Sequence, residues 1–401
     1  MSGLSKTVLL PALIAVLGGC AVSDFDMGTY GYDKQFVSAH GIEVLDLAGE
    51  DSCSRVMVAP CLQGRVLTST TAGEKGASYG WINHKFIASG VTDPQFNSFG
   101  GEERFWIGPE GGAFSWFFKK GDEQVYANWK VPSVIDTDAF EVIESSPDKA
   151  VMGRSASLVN ASGASFDIAF RREVAVLGRD EVSGMLACDV PEDVKVVAYK
   201  TDNTLTNEGA CAWDAQSGMP SVWILGCFNP SPTTTVFIPY ETAGEGMIVK
   251  DDYFGKIPSD RLSVRGGFVF FKIDGQYRAK IGLPRGRATE YVASYDSATK
   301  VLTILKYTVP EGSPDYVNSQ WGEQECAFGG DVVNSYNDGP TDTGVIMGPF
   351  YEIETSSPAA ALLPGQSLTH SQVTMHLQGS EEGIAAIVKS VFGLSLEDIR
   401  V

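Results

Sequence analysis

The sequence predicts an all-β protein, a large antiparallel β-super-sandwich with a short C-terminal helix, and three observations support this. The chain has 401 residues, of which 43% are hydrophobic and 44 are glycine, so it can bury a large core. Its apolar residues fall mostly in short alternating runs bounded by Gly, Asp, Asn or Pro, which is typical of antiparallel strands. No strand–helix–strand repeat and no low-complexity linker interrupts residues 36–401, which we predict to form a single domain.

The first residues are predicted to be a signal rather than part of the fold. Lys6 precedes an apolar run over residues 8–17 that is too short to cross a bilayer, and the motif LGGC ending at Cys20 resembles the processing site of bacterial lipoproteins. We therefore expect residues 1–20 to be a lipoprotein signal peptide ending at a lipidated Cys20, and residues 21–35 to be a flexible tether. A plain secretory signal is the alternative.

Charge and the residues after Cys20 limit the partners. With 30 Lys and Arg against 50 Asp and Glu, the chain has a net charge of −20, and such a surface repels phosphate backbones, so nucleic acids are excluded as partners. No Asp directly follows Cys20, which is typical of outer-membrane lipoproteins. We predict contact with the membrane through a lipid anchor, in the outer membrane, on its periplasmic face or at the cell surface.

Individual segments predict strands and one helix. Residues 166–170 and 301–307 alternate as strands, and residues 266–273 and 276–281 flank Asp-Gly, which predicts a β-hairpin. Residues 381–392 have acids in the first turn, apolar residues at helical spacing and a following glycine, which predicts a helix.

Cysteine usage leaves two alternatives open. Six cysteines remain after Cys20, and in an oxidising compartment Cys53 with Cys61, or Cys211 with Cys227, could close local disulfides. Free buried cysteines in a large core are the other alternative.

Two motifs suggest chemistry that their surroundings do not support. The segment around Ser78 matches G-x-S-x-G, but a nucleophile elbow needs a turn from a strand into a helix, and residues 81–86 favour a strand or loop. Only four histidines are present, and His370 and His376 are too far apart on a strand to share a metal.

Residues 99–112 are the densest chemical segment, since acids, one Arg and aromatic residues alternate among five glycines. Sugar recognition uses this mixture, because an aromatic face stacks on a pyranose while charged groups bind its hydroxyls. Alternation places Arg104, Trp106 and one acid on a common face, whereas a packed strand with solvated acids is the alternative.

A second polar region, residues 331–338, has oxygen-bearing side chains that could hold Ca²⁺ near Asp331 and Asp338, although an Asx-rich turn explains the same residues. The chemistry considered below requires no cofactor.

The C-terminal region carries a family resemblance. Residues 350–358 are followed by Leu362-Leu363-Pro364-Gly365-Gln366, and Glu354-Thr355 with this Pro-Gly turn resembles the signature of galactose mutarotase-like (aldose 1-epimerase) proteins. The resemblance implies their super-sandwich fold and Glu354 as general base. The segments FGGEERFWIGPEGG and NSYNDGP are also similar to those of an uncharacterised family of bacterial lipoproteins.

The resemblance has one departure. Epimerases of this family carry a His within an Asn-His-x-Tyr-Phe-like segment after the Gly-Gly loop, whereas here the nearest string, at His84, precedes Gly100.

The residues alone also favour Glu354 as a base, because alternation puts Glu352 on the same strand face, and two nearby carboxylates raise the pKa of one of them. A rim salt bridge or a solvated face is the alternative.

These observations predict a cell-envelope lipoprotein that acts on a mono-, oligo- or polysaccharide by epimerisation, hydrolysis or elimination. Glu354 would be the general base, with Glu110 or Glu352 as its catalytic partner. The predicted substrate-binding residues are Asn97, Glu102, Glu103, Arg104, Trp106, Trp129, Arg278, Arg285, Asn334, Asn337 and Asp338, with Arg287 as a further anion contact.

Two functions without catalysis remain as alternatives. One is a glycan-binding outer-membrane lipoprotein that presents Trp106, Trp116, Trp129 or Trp321, and the other is a purely structural envelope protein.

Overall fold

Three antiparallel sheets and four α-helices make up the part of the chain that the structure describes. The structure is a computed structural model, and it describes residues 24–312, 314–341 and 344–401. The predicted signal peptide, Cys20 and the start of the predicted tether therefore lie outside the described residues.

The helices are Tyr30–Ala39 (α1), His84–Ser89 (α2), Arg179–Leu186 (α3) and Glu381–Phe392 (α4). The strands are Leu45–Ala48 (β1), Arg55–Ala59 (β2), Arg65–Thr70 (β3), Arg104–Gly108 (β4), Glu141–Ser145 (β5), Lys149–Val159 (β6), Ser165–Leu177 (β7), Lys195–Asn207 (β8), Ser221–Phe228 (β9), Thr234–Pro239 (β10), Leu262–Arg265 (β11), Phe268–Lys272 (β12), Ala279–Pro284 (β13), Tyr291–Asp296 (β14), Val301–Tyr307 (β15), Asp331–Asn337 (β16), Tyr351–Ser356 (β17) and Ser367–Gln378 (β18).

Two of the sheets form the sandwich. The ten-stranded sheet has the order β11-β12-β10-β14-β15-β18-β8-β7-β6-β5, and the five-stranded sheet has the order β13-β16-β17-β9-β4. Val333 and Ile353 of the five-stranded sheet share one buried apolar cluster with Val292 and Leu305 of the ten-stranded sheet. The predicted antiparallel β-sandwich is confirmed, and β7 and β15 contain the two predicted alternating strands.

Helices cover the other face of the ten-stranded sheet. Val182 of α3 and Ile384 of α4 belong to one buried cluster with Ile304 of that sheet. The predicted helix over residues 381–392 is confirmed as α4: the Ser380 side chain accepts a hydrogen bond from the Gly383 N–H at 2.9 Å, and Gly393 ends the helix in the left-handed conformation.

The small sheet β1-β2-β3 packs with α1 and α2, which the sequence patterns did not reveal. α1 begins inside the segment predicted as a tether, and its Tyr30 is fully buried with its hydroxyl donating to Asp46 at 2.7 Å. From Tyr30 onward the predicted tether is therefore part of the folded domain. α2 replaces the expected strand or loop after residue 83, because Asn83 caps it by accepting from the Phe86 N–H at 3.0 Å.

The predicted hairpin around Asp274-Gly275 is wrong, because β12 lies in the ten-stranded sheet and β13 in the five-stranded sheet. Arg261 holds Asp274 through two hydrogen bonds of 3.0 and 2.9 Å. Gly275 has a φ of +67°, and its N–H donates to Asn337 Oδ1 at 2.8 Å. Asn337, predicted to bind substrate, instead secures this crossing between the sheets.

A buried ion pair joins the two large sheets. Glu103 and Arg172 are both fully buried, with an N–O distance of 2.9 Å. Thr201 and Gln372 also donate to the Glu103 carboxylate, at 2.7 and 2.9 Å. Glu103 therefore holds the sandwich together, which corrects its predicted role in substrate binding.

Glu102 is also part of the interior rather than a substrate contact. Its carboxylate accepts from the Ser69 hydroxyl at 2.7 Å and contacts His376 Nε2 at 2.9 Å. The irregular chain at Gly101, where φ is +113°, precedes β4 and lets both neighbouring acids reach the ten-stranded sheet.

The structure also bears on membrane-spanning helices and on disulfide bonds. No helix among the described residues is both long and apolar enough to span a membrane. The six cysteines after Cys20 are all unpaired in the structure, so neither local disulfide is present.

The inter-sheet ion pair gives a stability prediction. Arg172→Met leaves the Glu103 carboxylate buried without its cation, so the free energy of unfolding should fall by about 3–5 kcal/mol. The measurement is urea denaturation of the purified protein.

Arg171→Met is the matched control, because Arg171 is the preceding residue and pairs with Glu173 at the surface at 3.2 Å. This variant should change stability by less than about 0.5 kcal/mol. Equal losses in the two variants would contradict a structural role for the buried pair.

Candidate functional site

One face of the five-stranded sheet carries a cluster of charged and aromatic side chains, which we call the site face. On β17, Thr355 hydrogen-bonds His370 of the ten-stranded sheet at 2.9 Å. Because side chains alternate along a strand, Glu352 and Glu354 point away from the ten-stranded sheet. The two carboxylates thus share a strand face, as the alternation predicts.

The same alternation places Arg104 and Trp106 on the site face. Between them on β4, Phe105 packs edge to face against Phe170 of the ten-stranded sheet, with ring centroids 5.8 Å apart. Arg104 forms an ion pair with Glu352, so residues 248 positions apart in the sequence meet here.

Glu354 is the most buried acid of the site face, with 1% of its surface exposed. Lys280 of β13 pairs with its Oε2 atom at 2.8 Å, and the indole N–H of Trp223 on β9 donates to the same atom at 3.0 Å. The Oε1 atom has no hydrogen-bond partner among the described residues. One carboxylate oxygen is therefore held by two donors, whereas the other is buried with no donor in the described part of the chain.

The charges of this cluster affect one another in both directions. Burial opposes the charged form of Lys280, but the neighbouring carboxylates of Glu354 and Glu110 outweigh it and raise the lysine pKa. Burial raises the pKa of Glu352, and so does the neighbouring Glu354 carboxylate, whereas Arg104 lowers it. The buried thiol of Cys227 donates to Glu352 Oε1 at 3.3 Å.

Glu110 lies two residues after β4 and is partly buried. Burial raises the pKa of its carboxyl group to about 7, although Lys280 lowers it, and the Glu354 charge raises it further. The nearby Trp321 and Trp129 side chains also favour the charged form. The site face thus has a second carboxyl group that exchanges its proton near neutral pH.

Aromatic rings border these carboxyl groups. Trp106 packs against Trp223 at 5.8 Å between ring centroids, and Trp129 stacks at 6.4 Å on the partly exposed Trp321. The guanidinium of Arg104 lies 4.9 Å from the Trp106 ring centroid. Trp106, Trp129 and Trp223 are buried in the core, so Trp321 is the ring of this group that keeps part of its surface exposed beside the charged groups.

Several buried donors around the site have no hydrogen-bond partner among the described residues: Arg104 Nε, Trp106 Nε1, Trp129 Nε1 and Arg278 Nε. Buried polar atoms are costly unless they are paired, so each of these donors can accommodate an acceptor from a polar ligand.

The β16 edge of the site contains Asp331, Asn334 and Tyr253. The Tyr253 hydroxyl donates to Asp331, and Asn334 Nδ2 donates to the same carboxylate at 3.2 Å. A Cβ atom on Gly282 would lie 2.1 Å from Asp331 Oδ2, so only glycine leaves room for this arrangement. Asn334, predicted to bind substrate, lies opposite Glu354 in the strand register.

Asp331 and Asp338, suggested as a Ca²⁺ site, have separate partners. Asp338 accepts from the Tyr336 hydroxyl at 3.0 Å and from the Gly348 N–H at 2.7 Å, at the far end of β16 from Asp331. Within residues 24–312, 314–341 and 344–401, no group of three or more His, Cys, Asp or Glu could hold a metal ion.

Other predicted contacts lie away from the site face. Asn97 donates to Asp136 at 2.7 Å and is fully buried in its loop. Arg285 is exposed and pairs with the exposed Asp315, and the buried Arg287 donates to the Glu241 carbonyl at 2.8 Å. These side chains already have structural partners, which corrects their predicted roles.

The tryptophans predicted to present a glycan lie in two different parts of the structure. The Trp116 indole donates to the Gly108 carbonyl at 2.8 Å within the core, whereas Trp106, Trp129 and Trp321 border the site.

The four histidines all lie away from the site face, and His40 follows α1, where its ring contacts the Phe36 carbonyl at 2.8 Å. His370 and His376 lie between the sheets, and His84 contacts Asp33 at 2.6 Å near the N-terminal helices. The Ser78 hydroxyl donates to the same Asp33, so the acid stands between serine and histidine. A serine nucleophile needs a base at its hydroxyl and the acid behind that base, so this is not a catalytic triad.

Sequence analysis missed Lys280, Trp223 and Cys227. Lys280 is a polar position in an alternating run, but the Asp-Gly before that run predicts a hairpin with residues 266–273. Such a hairpin would put Lys280 in the same sheet as β12, away from Glu354. Trp223 and Cys227 lie on β9, which is buried along its whole length. The sequence of such a strand does not show which face meets a ligand.

Several solved structures are similar to the chain. They include a candidate aldose 1-epimerase from Escherichia coli K12, with 11% identity and a TM-score of 0.49, which covers 85% of this chain and 100% of that chain. The Slr1438 protein from Synechocystis sp. PCC 6803 has 11% identity and a TM-score of 0.49, and covers 84% and 96%. A galactose mutarotase-like protein from Lactobacillus casei ATCC 334 has 10% identity and a TM-score of 0.45, and covers 84% and 100%.

The activities in those names are not carried over to this chain. No protein of curated function has a significant match to the sequence. A family model described as a family of unknown function (DUF6786) matches residues 28–401, so the chain belongs to this family.

Proposed function

We propose that the site face binds a carbohydrate and changes it by proton transfer, with Glu354 as general base and Glu110 as general acid. The observation that carries this proposal is the pair of carboxyl groups around Lys280. Glu354 is held by the ammonium group at 2.8 Å, whereas the pKa of Glu110 is raised to about 7. A carboxylate held beside a cation and a second carboxyl group that keeps its proton to higher pH suit opposite roles in acid–base catalysis.

For a reducing sugar the proposed step is ring opening. The free Oε1 of Glu354 takes the proton of the anomeric hydroxyl, the carbon–oxygen ring bond breaks, and Glu110 gives its proton to the ring oxygen. Closure in the reverse sense on the other face of the carbonyl changes the anomer. The same two groups could instead cleave a glycosidic bond by hydrolysis or elimination, and product analysis separates these reactions.

Glu352 has a supporting role in this scheme. Arg104 and Cys227 already bind its carboxylate, so it positions Arg104 on the Trp106 ring rather than exchanging a proton with substrate. This places the catalytic pair at Glu354 and Glu110.

A specific observation also favours glycan binding without catalysis. The partly exposed Trp321 ring, supported from behind by the buried Trp129, can stack on a sugar with no reaction at all. Binding without turnover in the experiments below would favour this second function.

Glu354→Gln tests the general base. The amide keeps the size of the side chain but cannot take a proton, so turnover should fall by a factor on the order of 10² to 10⁴. One-dimensional proton NMR of sugars with the protein is the measurement: faster anomeric exchange, new reducing ends or a vinylic proton identify epimerisation, hydrolysis or elimination.

Glu141→Gln on the exposed strand β5 is the control and should leave turnover unchanged. Full activity in Glu354→Gln would move the base to another residue.

The pH dependence tests the general acid. Because the pKa of Glu110 is raised to about 7, its carboxyl group is protonated below that pH and loses its proton as pH rises. We expect kcat/KM to fall above about pH 7, and Glu110→Gln should be slower and should lack this fall. An unchanged descending limb in Glu110→Gln would contradict the assignment.

We also propose that the protein is anchored in the outer membrane through a lipid on Cys20. The LGGC motif and the absence of Asp after Cys20 support this location. Full-length protein expressed in a Gram-negative host should separate with the outer-membrane fraction and have the mass of an acylated chain, whereas Cys20→Ser should lose both properties. An unmodified, released wild-type chain would indicate a plain secretory signal.

A further inference from the structure

We infer that the sugar acted on at the site face carries an anionic group, a carboxylate or a phosphate, at the end remote from Glu354, and that Arg278 binds it. This inference rests on the proposed function for the placement of the sugar beside Glu354. It adds a substrate class to that function and assigns specificity to a residue outside the catalytic pair.

Among the arginines around the five-stranded sheet, Arg278 and Arg287 lack a carboxylate partner in the described part of the chain, and Arg287 is held instead by the backbone carbonyls of Glu241 and Gly246. Arg104 pairs with Glu352, Arg261 with Asp274 and Arg285 with Asp315. No carboxylate within the described part of the chain lies in ion-pair distance, 4.0 Å, of the Arg278 nitrogens, and its buried Nε atom has no partner there. A cation left without a counter-charge beside a candidate sugar site favours an anionic ligand.

An aromatic ring holds this guanidinium in place. Its central carbon lies 3.8 Å from the ring centroid of Phe254, and Tyr336 is also adjacent. Stacking fixes the plane of an arginine while leaving its N–H edge available, and that edge matches carboxylate and phosphate groups.

Two acids in the same part of the sheet already have other partners. Asp338 accepts from the Tyr336 hydroxyl and from the Gly348 N–H, and Glu352 is bound by Arg104. The chain as a whole has 20 more acidic than basic residues, so counter-charges are plentiful and the lack of one at Arg278 is a local property.

The position of Arg278 fits one sugar ring. In the strand register, Glu354 lies opposite Asn334, and Lys280 lies opposite Tyr336, two residues further along β16. Arg278 immediately precedes β13, two residues before Lys280. A step of two residues along a strand covers about 7 Å of its face. A pyranose beside Glu354 can therefore point its far substituent along the strands toward the long side chain of Arg278.

The experiment compares matched sugars with and without charge, using the intact protein. Glucose and galactose are the neutral sugars, glucuronate and galacturonate carry the carboxylate, and glucose 6-phosphate carries the phosphate. Conversion is followed by proton NMR, and binding is measured separately by saturation-transfer NMR and calorimetry. The variants are Arg278→Gln, Arg278→Lys, which keeps the charge, and Arg285→Gln as an exposed control.

The expected result is selective. Wild-type protein should prefer one class of acidic sugar, and Arg278→Gln should lower kcat/KM or affinity for it about 10- to 100-fold while changing neutral sugars less than about twofold. Arg278→Lys should recover part of the loss, and Arg285→Gln should behave as wild type. The carboxylate and phosphate arms show which anion is the natural group.

Equal use of neutral and acidic sugars by wild type would overturn the inference, and so would an equal effect of Arg278→Gln on both. Failure of the proposed function is distinguishable. If acidic sugars bind through Arg278 and none is converted, the proposed reaction is wrong and the anion site is retained. If neutral sugars alone are converted, the proposed reaction is retained and the anion site is wrong. No binding of any acidic sugar also overturns it.

Discussion

The buried ion pair between Glu354 and Lys280 determines the electrostatics of the whole site. A carboxylate taken out of water costs several kcal/mol unless a counter-charge and hydrogen bonds replace the lost solvent, and Lys280 at 2.8 Å and the Trp223 N–H at 3.0 Å supply them. Glu110 lies near this pair and is affected by both of its charges, since Lys280 lowers its pKa and Glu354 raises it. Burial of its own carboxyl group has the larger effect and raises the pKa of Glu110 to about 7.

Local sequence patterns predicted the parts of this site that lie on a single strand. Alternation put Glu352 with Glu354 and Arg104 with Trp106, and helical spacing with a terminal glycine predicted α4 closely. What failed needed knowledge of other strands. Lys280 could not be paired with Glu354, because an Asp-Gly turn normally joins neighbours in one sheet, whereas here β12 and β13 belong to different sheets.

Polar residues next to each other in the sequence have separate tasks in this fold. Glu103 points into the sandwich and binds Arg172, whereas Arg104 points to the site face and binds Glu352. The histidines are used in the same way, since His370 and His376 satisfy polar groups between the sheets. A sequence motif rich in acids and arginine could not distinguish these tasks, because both produce alternation and both need charge.

The crossing at Asp274-Gly275 has a consequence for how the protein is made. Lys280 enters the five-stranded sheet only after the chain has left the ten-stranded sheet. Arg104 can form its ion pair only when Glu352, 248 residues later in the sequence, is in place. Contacts this distant in sequence form slowly and late. A nascent chain that has not yet reached β17 lacks Glu354, so the ion pair with Lys280 and the proposed acid–base pair can form only after both sheets have closed on each other.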